Sequence, residues 1–239
     1  MAAGARGGTG RGDRGRVRRP LIGALALTTA VDLGSLAADW DPGHLVAKPL
    51  LMPLLAVYAA VCGAPRLLIA ALLFGWGGDT LLLLDAEPAF LAGMASFAAG
   101  HVCYIVLFLR YGTDRATVRA RGGFLAVVYT VLLAATVQSL WPDLPADLRI
   151  PVAGYSVLLT VMAYLAAARM GRLAGIGGVL FVLSDTLIAS GVAEWDQLPR
   201  PDLWIMATYV AAQSLLVTGT LGERRLPGAA YGEVRSTTP

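Results

Sequence analysis

The stretch RLAGIGGVLFVLSDTLIASG, residues 172–191, decides the fold. After its opening arginine it holds one ionisable side chain, Asp185, in a run otherwise apolar or small. Roughly 20 such residues are what a helix needs to cross a hydrocarbon core. A second run, 66–84, repeats the design: an arginine, an apolar body, and Gly78-Asp79-Thr80-Leu81, matching Ser184-Asp185-Thr186-Leu187. A carboxyl group at membrane depth is expensive and marks a functional site. Two of them in matching sequence predict one composite site built by two related segments.

Working outward, six further apolar runs appear at 19–38, 44–62, 89–110, 122–140, 150–168 and 203–221. The mean hydropathy of +0.65 and the 15% share of charged residues lie outside the range of soluble domains. A membrane barrel would show shorter, alternating segments. The expected fold is all-α: a polytopic bundle of eight transmembrane helices over residues 19–221, multi-pass in the cell membrane with the lipid bilayer as its surroundings. Residues 1–18, rich in Arg and Gly, and 222–239 are expected as tails, the first disordered because it has almost nothing to bury.

Charge placement tests the count. With both termini cytoplasmic, the inner pieces are the tail Arg6–Arg19, the turn at Arg66, the loop Arg110–Arg121, the turn Arg169–Arg172, and Arg224 with Arg225. The outer loops then hold Asp39, Asp41, Asp85, Glu87, Asp143, Asp147, Glu194, Asp196 and Asp202. Only Arg149 and Arg200 fall outside this pattern, in keeping with the positive-inside rule. The basic character therefore reports topology, and no nucleic-acid partner is expected. Basic residues before the first run and Ala37-Ala38 after it resemble a signal peptide, but the run is longer than an h-region and carries Asp32. Cys62 and Cys103 both fall on helices, so no disulfide framework is expected. The longest outer loop, 191–202, is placed to cap the outer mouth.

The third and seventh spans run the same way, and each carries its acid 13 residues after its arginine. At ~1.5 Å rise per residue both carboxyl groups reach one depth, toward the outer leaflet. The next spans match too: Ser96-Phe97-Ala98-Ala99-Gly100-His101 aligns with Thr208-Tyr209-Val210-Ala211-Ala212-Gln213. A diverged 4+4 parallel repeat follows, its equivalent residues facing a shared cavity.

Asp79 and Asp185 are the candidate catalytic pair, one protonated and one ionised. Their alternative is helix packing through neighbouring hydroxyl or carbonyl groups. Asp32, at similar depth on the first span, is a third member of the site or the partner of Lys48. Lys48 is the only lysine, flanked by Pro49 and Pro53, which free backbone groups and bend the helix around a cavity. It is placed to hold a phosphate or to snorkel to the interface. His101 with Tyr104, and Tyr209 with Gln213, share helix faces and are candidates for substrate binding or for interhelical hydrogen bonds. Two histidines are too few for a multi-histidine zinc site, and no cofactor motif or nucleophile elbow is present.

Lys48-Pro49-Leu50-Leu51-Met52-Pro53, Gly78-Asp79-Thr80-Leu81-Leu82-Leu83, Phe90-x-x-Gly93-x-x-x-Phe97-x-x-x-His101-x-x-Tyr104, Phe181-x-x-Ser184-Asp185-Thr186-Leu187 and Thr208-Tyr209-x-x-x-Gln213 occur in this order. The ordered set resembles the YhhN-like family, bacterial relatives of eukaryotic lysoplasmalogenases. The resemblance implies a membrane hydrolase that splits the vinyl ether bond of a lysoplasmalogen into a fatty aldehyde and a glycerophospho-choline or -ethanolamine. It implies Asp79 and Asp185 as the catalytic pair, a lysophospholipid substrate and no cofactor. Two other classes fit the paired acids: a proton-coupled transporter, which would move protons without turnover, and a non-catalytic lysolipid-binding protein, which would tolerate Asp→Asn at both positions.

Overall fold

The computed structural model describes residues 10–84, 86–113 and 115–223, with side chains for 16–84, 86–113 and 122–222. Among the described residues there are eight helices and no strand: α1 (Gly10–Ala37), α2 (Asp41–Val61), α3 (Arg66–Leu81), α4 (Glu87–Tyr111), α5 (Arg115–Leu140), α6 (Arg149–Arg169), α7 (Gly171–Val192) and α8 (Pro201–Glu223). Seven are long and apolar enough to cross a membrane. The exception is α3. α3 has 16 residues, about 24 Å at 1.5 Å per residue, short of a ~30 Å hydrocarbon core. It stops at Leu81 because Leu82, Leu83 and Leu84 turn back onto the carbonyls of Gly78, Thr80 and Leu81.

The helices α1 and α5 begin at Gly10 and Arg115, before their apolar parts, Arg16–Ala37 and Gly122–Leu140, which match the expected spans 19–38 and 122–140. The remaining tail residues, 1–9 and 224–239 with Arg224 and Arg225, lie outside the described residues, as does Asp85. Other ends follow local chemistry. Proline sits in the first turn of α2 and of α4 and opens α8, where a missing N–H costs nothing. Gly171 supplies the positive φ of the sharp α6–α7 turn. Cys62 lies one residue past α2, in its closing turn, and Cys103 is within α4; both are free thiols.

Neighbour packing runs α2–α3, α3–α4, α4–α6, α6–α7, α7–α8 and α8–α2, which closes a ring of six helices. α1 lies outside, against α2 and α8, and α5 lies outside against α6 and α7. In lipid, helices associate through close packing of small residues. The α6–α7 seam is of this kind, with Ala163 and Ala166 on α6 and Ala174, Gly175 and Gly178 on α7 all buried. The 193–200 loop is tied down at both ends of its reach: Trp195 Nε1 donates to Asp143 Oδ2 at 2.8 Å, and Arg200 meets Asp39 at 3.4 Å. It thus joins the α5–α6 and α1–α2 loops at one end of the ring.

Candidate active site

Polar side chains in apolar helices turn inward, and here they meet in two chains of hydrogen bonds. In the first, the Tyr209 hydroxyl on α8 donates to Asp79 Oδ2 on α3 at 2.9 Å and accepts from Gln213 Nε2 at 3.4 Å. Gln213 Oε1 accepts from the Tyr104 hydroxyl on α4 at 2.6 Å. All four side chains are buried. Tyr209 and Gln213 meet because they are four apart on one helix face. Gly75, one turn before Asp79, leaves the space they occupy: a Cβ there would stand 3.0 Å from the Tyr209 hydroxyl and 3.2 Å from Gln213 Nε2.

In the second chain, the Tyr155 hydroxyl on α6 donates to Asp185 Oδ2 on α7, and His101 Nε2 on α4 lies 3.0 Å from the same hydroxyl. With the phenol proton on Asp185, the imidazole nitrogen is the donor of that second bond. His101 Nδ1 is buried with no partner among the described residues. The two chains meet at aromatic rings. Phe181 stands edge-on to both His101 and Tyr209, at 4.8 and 5.5 Å between centroids, and Phe97 meets Tyr209 edge-on at 5.9 Å.

A cavity of about 280 Å³ lies among α4, α5, α6 and α7. Its wall is almost entirely hydrocarbon: Phe90, Met94 and Phe97 from α4, Leu132 and Leu133 from α5, Leu159 from α6, Val182 and Ala189 from α7. Among these groups Asp185 and Tyr155 are the polar feature, with Thr136, Ser156, Thr160 and Thr186. Leu132, Val179 and Leu183, also in the wall, are half exposed on the apolar outer surface, so the cavity is a lateral groove. Asp79 is not in its lining. Phe97 stands between them: its ring lies over Gly78, where a Cβ would approach it to 2.4 Å.

The sequence-derived candidates therefore divide. Asp79, Tyr104, Tyr209 and Gln213 come together, as do His101 and Asp185. Lys48 is half-buried and forms no hydrogen bond or ion pair among the described residues. Asp32 is fully buried, and its partner is His44 Nδ1 at 2.8 Å, not Lys48. The reason is register: the short turn at residues 38–40 brings the end of α1 against the first turn of α2, where His44 lies. Sequence reasoning missed His44 and Tyr155. Tyr155 belongs to no matched motif, and its only signal is a phenol in an apolar run. Thr80 and Thr186, shared by the two acidic tetrads, bond to carbonyls in their own helices and take no part.

The sequence model of the YhhN family matches residues 43–220, the stretch that carries all of these side chains except Asp32. The chain belongs to the YhhN family. As a YhhN protein with seven apolar helices of spanning length, it is a multi-pass integral membrane protein. It is 36% identical over 167 residues to the lysoplasmalogenase TMEM86B of Homo sapiens, covering 66% of this chain and 65% of that protein, just under two thirds. It is 33% identical over 228 residues to TMEM86B of Rattus norvegicus, covering 89% and 87% of the two chains. A lysoplasmalogenase of Mycobacterium tuberculosis (strain CDC 1551 / Oshkosh) is 32% identical over 199 residues, 77% of this chain and 74% of that one. No solved structure matches this chain.

Proposed function

We propose that this YhhN protein is a lysoplasmalogenase, hydrolysing the vinyl ether bond of a single-chain ether phospholipid by acid catalysis from Asp185 and Asp79. The observation that carries the reading is Asp185, the one carboxyl group in the wall of a mostly hydrocarbon groove, bonded there by Tyr155. A groove of this composition suits one hydrocarbon chain, and a vinyl ether is a group that needs a proton donor beside such a chain. Relatives bearing the name lysoplasmalogenase support the same activity.

The chemistry runs in three steps. The protonated acid adds its proton to the β-carbon, and the C=C electron pair forms the new C–H bond, leaving an oxocarbenium ion. The second, ionised carboxylate stabilises that cation and takes a proton from the water that attacks it, a division of labour like that of inverting glycosidases. The hemiacetal then collapses: its hydroxyl proton leaves, the bond from carbon to the glycerol oxygen breaks, and that oxygen is protonated. Aldehyde and glycerophospho headgroup result. Asp185, facing the groove, is the proton donor in this reading, and Asp79, held by Tyr209 behind Phe97, is the ionised partner. His101, through Tyr155, and Gln213 with Tyr104, through Tyr209, hold the two acids in position. Lys48 faces the substrate as its cationic contact.

The packing order supports a 4+4 repeat, since α1 lies on α2 as α5 lies on α6, and α2–α3–α4 packs as α6–α7–α8 does. The arginine distribution supports termini on the cytoplasmic side. Purified protein given lysoplasmalogen and its ester-linked analogue should release aldehyde from the first alone. Proton-dependent flux in vesicles without aldehyde release would make the protein a carrier instead.

A further inference from the structure

We propose that His44 and Lys48 form the binding site for a lipid phosphodiester, with Asp32 as the residue that positions the imidazole. The identity of that lipid rests on the lysoplasmalogenase reading; the anion site itself does not.

His44, Lys48 and Met52 are successive fourth residues of α2, so they line one face of it. Met52 packs at Gly75 of α3, where a Cβ would meet its Cγ at 4.0 Å. α2 and α3 are joined by the tight turn at residues 62–65 and run antiparallel. One turn from Met52 along α2 is Lys48, and one turn from Gly75 along α3 is Asp79. This register puts Lys48 of α2 across from Asp79 of α3. His44 lies a further turn along, about 5.4 Å nearer the end of the bundle that carries the α1–α2 loop.

The chemistry of the pair points outward from α1. Asp32 is fully buried and accepts the Nδ1 hydrogen bond of His44 at 2.8 Å. A carboxylate on Nδ1 orients the ring, and a ring held so presents Nε2–H as a donor whenever it carries its second proton. Nε2 has no partner among the described residues, and the His44 side chain retains 16% exposure. Lys48 is a cation at membrane depth with no hydrogen bond or ion pair among the described residues, and the free Nε2 of His44 lies one turn away on the same helix face; an ionisable group so placed marks a ligand site. A phosphodiester supplies two acceptor oxygens and one negative charge.

Spacing makes the site fit the reaction. In a glycerophospholipid five single bonds separate the sn-1 ether oxygen from phosphorus, a reach close to one helical turn of about 5.4 Å. A phosphate held by His44 and Lys48 therefore sets the vinyl ether at the level of Asp79. The vinyl carbons and the hydrocarbon chain then lie on the groove side of Phe97, beside Asp185.

Two ether lipids without a vinyl bond test this, because neither is turned over: hexadecyl-glycerophosphocholine and hexadecylglycerol, titrated onto detergent-purified full-length protein. Wild type should prefer the phosphorylated ligand. His44→Ala and Lys48→Ala should each weaken it about tenfold or more, the loss of a charge-assisted hydrogen bond, and leave hexadecylglycerol unchanged. Asp32→Asn should weaken it less than His44→Ala does. Equal weakening of both ligands, which a structural role would produce, overturns the proposal, and so does no weakening of either. His44→Gln keeps the side chain's bulk should the alanine variant not fold, and the same ligand-selective loss is required of it. Inorganic phosphate and glycerophosphocholine, compared as soluble ligands, separate the sources; tighter binding of inorganic phosphate overturns the headgroup assignment. Selective loss in a protein that releases no aldehyde would sustain the anion site while removing the lysoplasmalogenase reading. Aldehyde release with unselective binding would do the reverse.

Discussion

Asp79 on α3 accepts a 2.9 Å hydrogen bond from Tyr209 on α8, so residues 130 apart in sequence share one buried contact. The second acid, Asp185, has a different phenol, Tyr155 of α6. Each carboxyl group thus keeps one tyrosine donor, one from α8 and the other from α6. The acids share a motif and differ in surroundings, which is what separate roles as donor and ionised partner require.

Asp185→Asn and Asp79→Asn should each lower kcat for aldehyde release by about 10²–10⁴-fold, the range lost with a general acid or base. An amide still accepts the tyrosine hydrogen bond, so thermal stability in detergent should change little. Near-normal turnover in either variant would end the paired-acid mechanism.

Removing the phenols should affect geometry more than chemistry. Tyr155→Phe leaves His101 Nε2 and Asp185 without their common partner, at a cost of about 1–3 kcal/mol for each unsatisfied buried group. A fall in kcat with KM nearly constant is expected, since the hydroxyl holds the acid and not the lipid. Steady-state kinetics on Tyr155→Phe and Tyr209→Phe check this, and a rise in KM alone would assign the phenols to binding.

The Phe97 ring lies over Gly78, and a Cβ would approach it to 2.4 Å. Gly78→Ala should therefore destabilise by about 1–3 kcal/mol through overpacking. Phe97→Leu in the same chain should relieve most of that loss. A double-mutant cycle of unfolding midpoints measures it, and additive effects would mean the two do not press on each other.

Ala189 is one turn beyond Asp185 on α7 and lines the groove. Ala189→Phe should raise KM for an octadecenyl lysoplasmalogen about tenfold, the loss of one or two buried methylene contacts, and leave a decenyl analogue unchanged. If both chain lengths respond equally, the hydrocarbon chain lies elsewhere.

Much of the fold is legible in the sequence. A span is a one-dimensional quantity, so apolar runs, their arginine-marked ends and the depth of Asp79 and Asp185 follow from composition and a fixed rise per residue. The helical register likewise places Tyr209 beside Gln213 and His101 beside Tyr104. An apolar run marks the membrane-crossing part of a helix and not its full length, so α1 and α5 extend upstream of their runs to Gly10 and Arg115. At Leu81 the helix ends early because the chain turns, which four consecutive leucines do not announce.

What only the tertiary structure decided is which faces meet. Rise along a helix is set by its backbone, but its rotation and its neighbours are set by packing against other helices, which no single run encodes. That packing gives Asp32 to His44 and withholds it from Lys48, brings Tyr155 to Asp185, and puts Phe97 between one acid and the groove that holds the other.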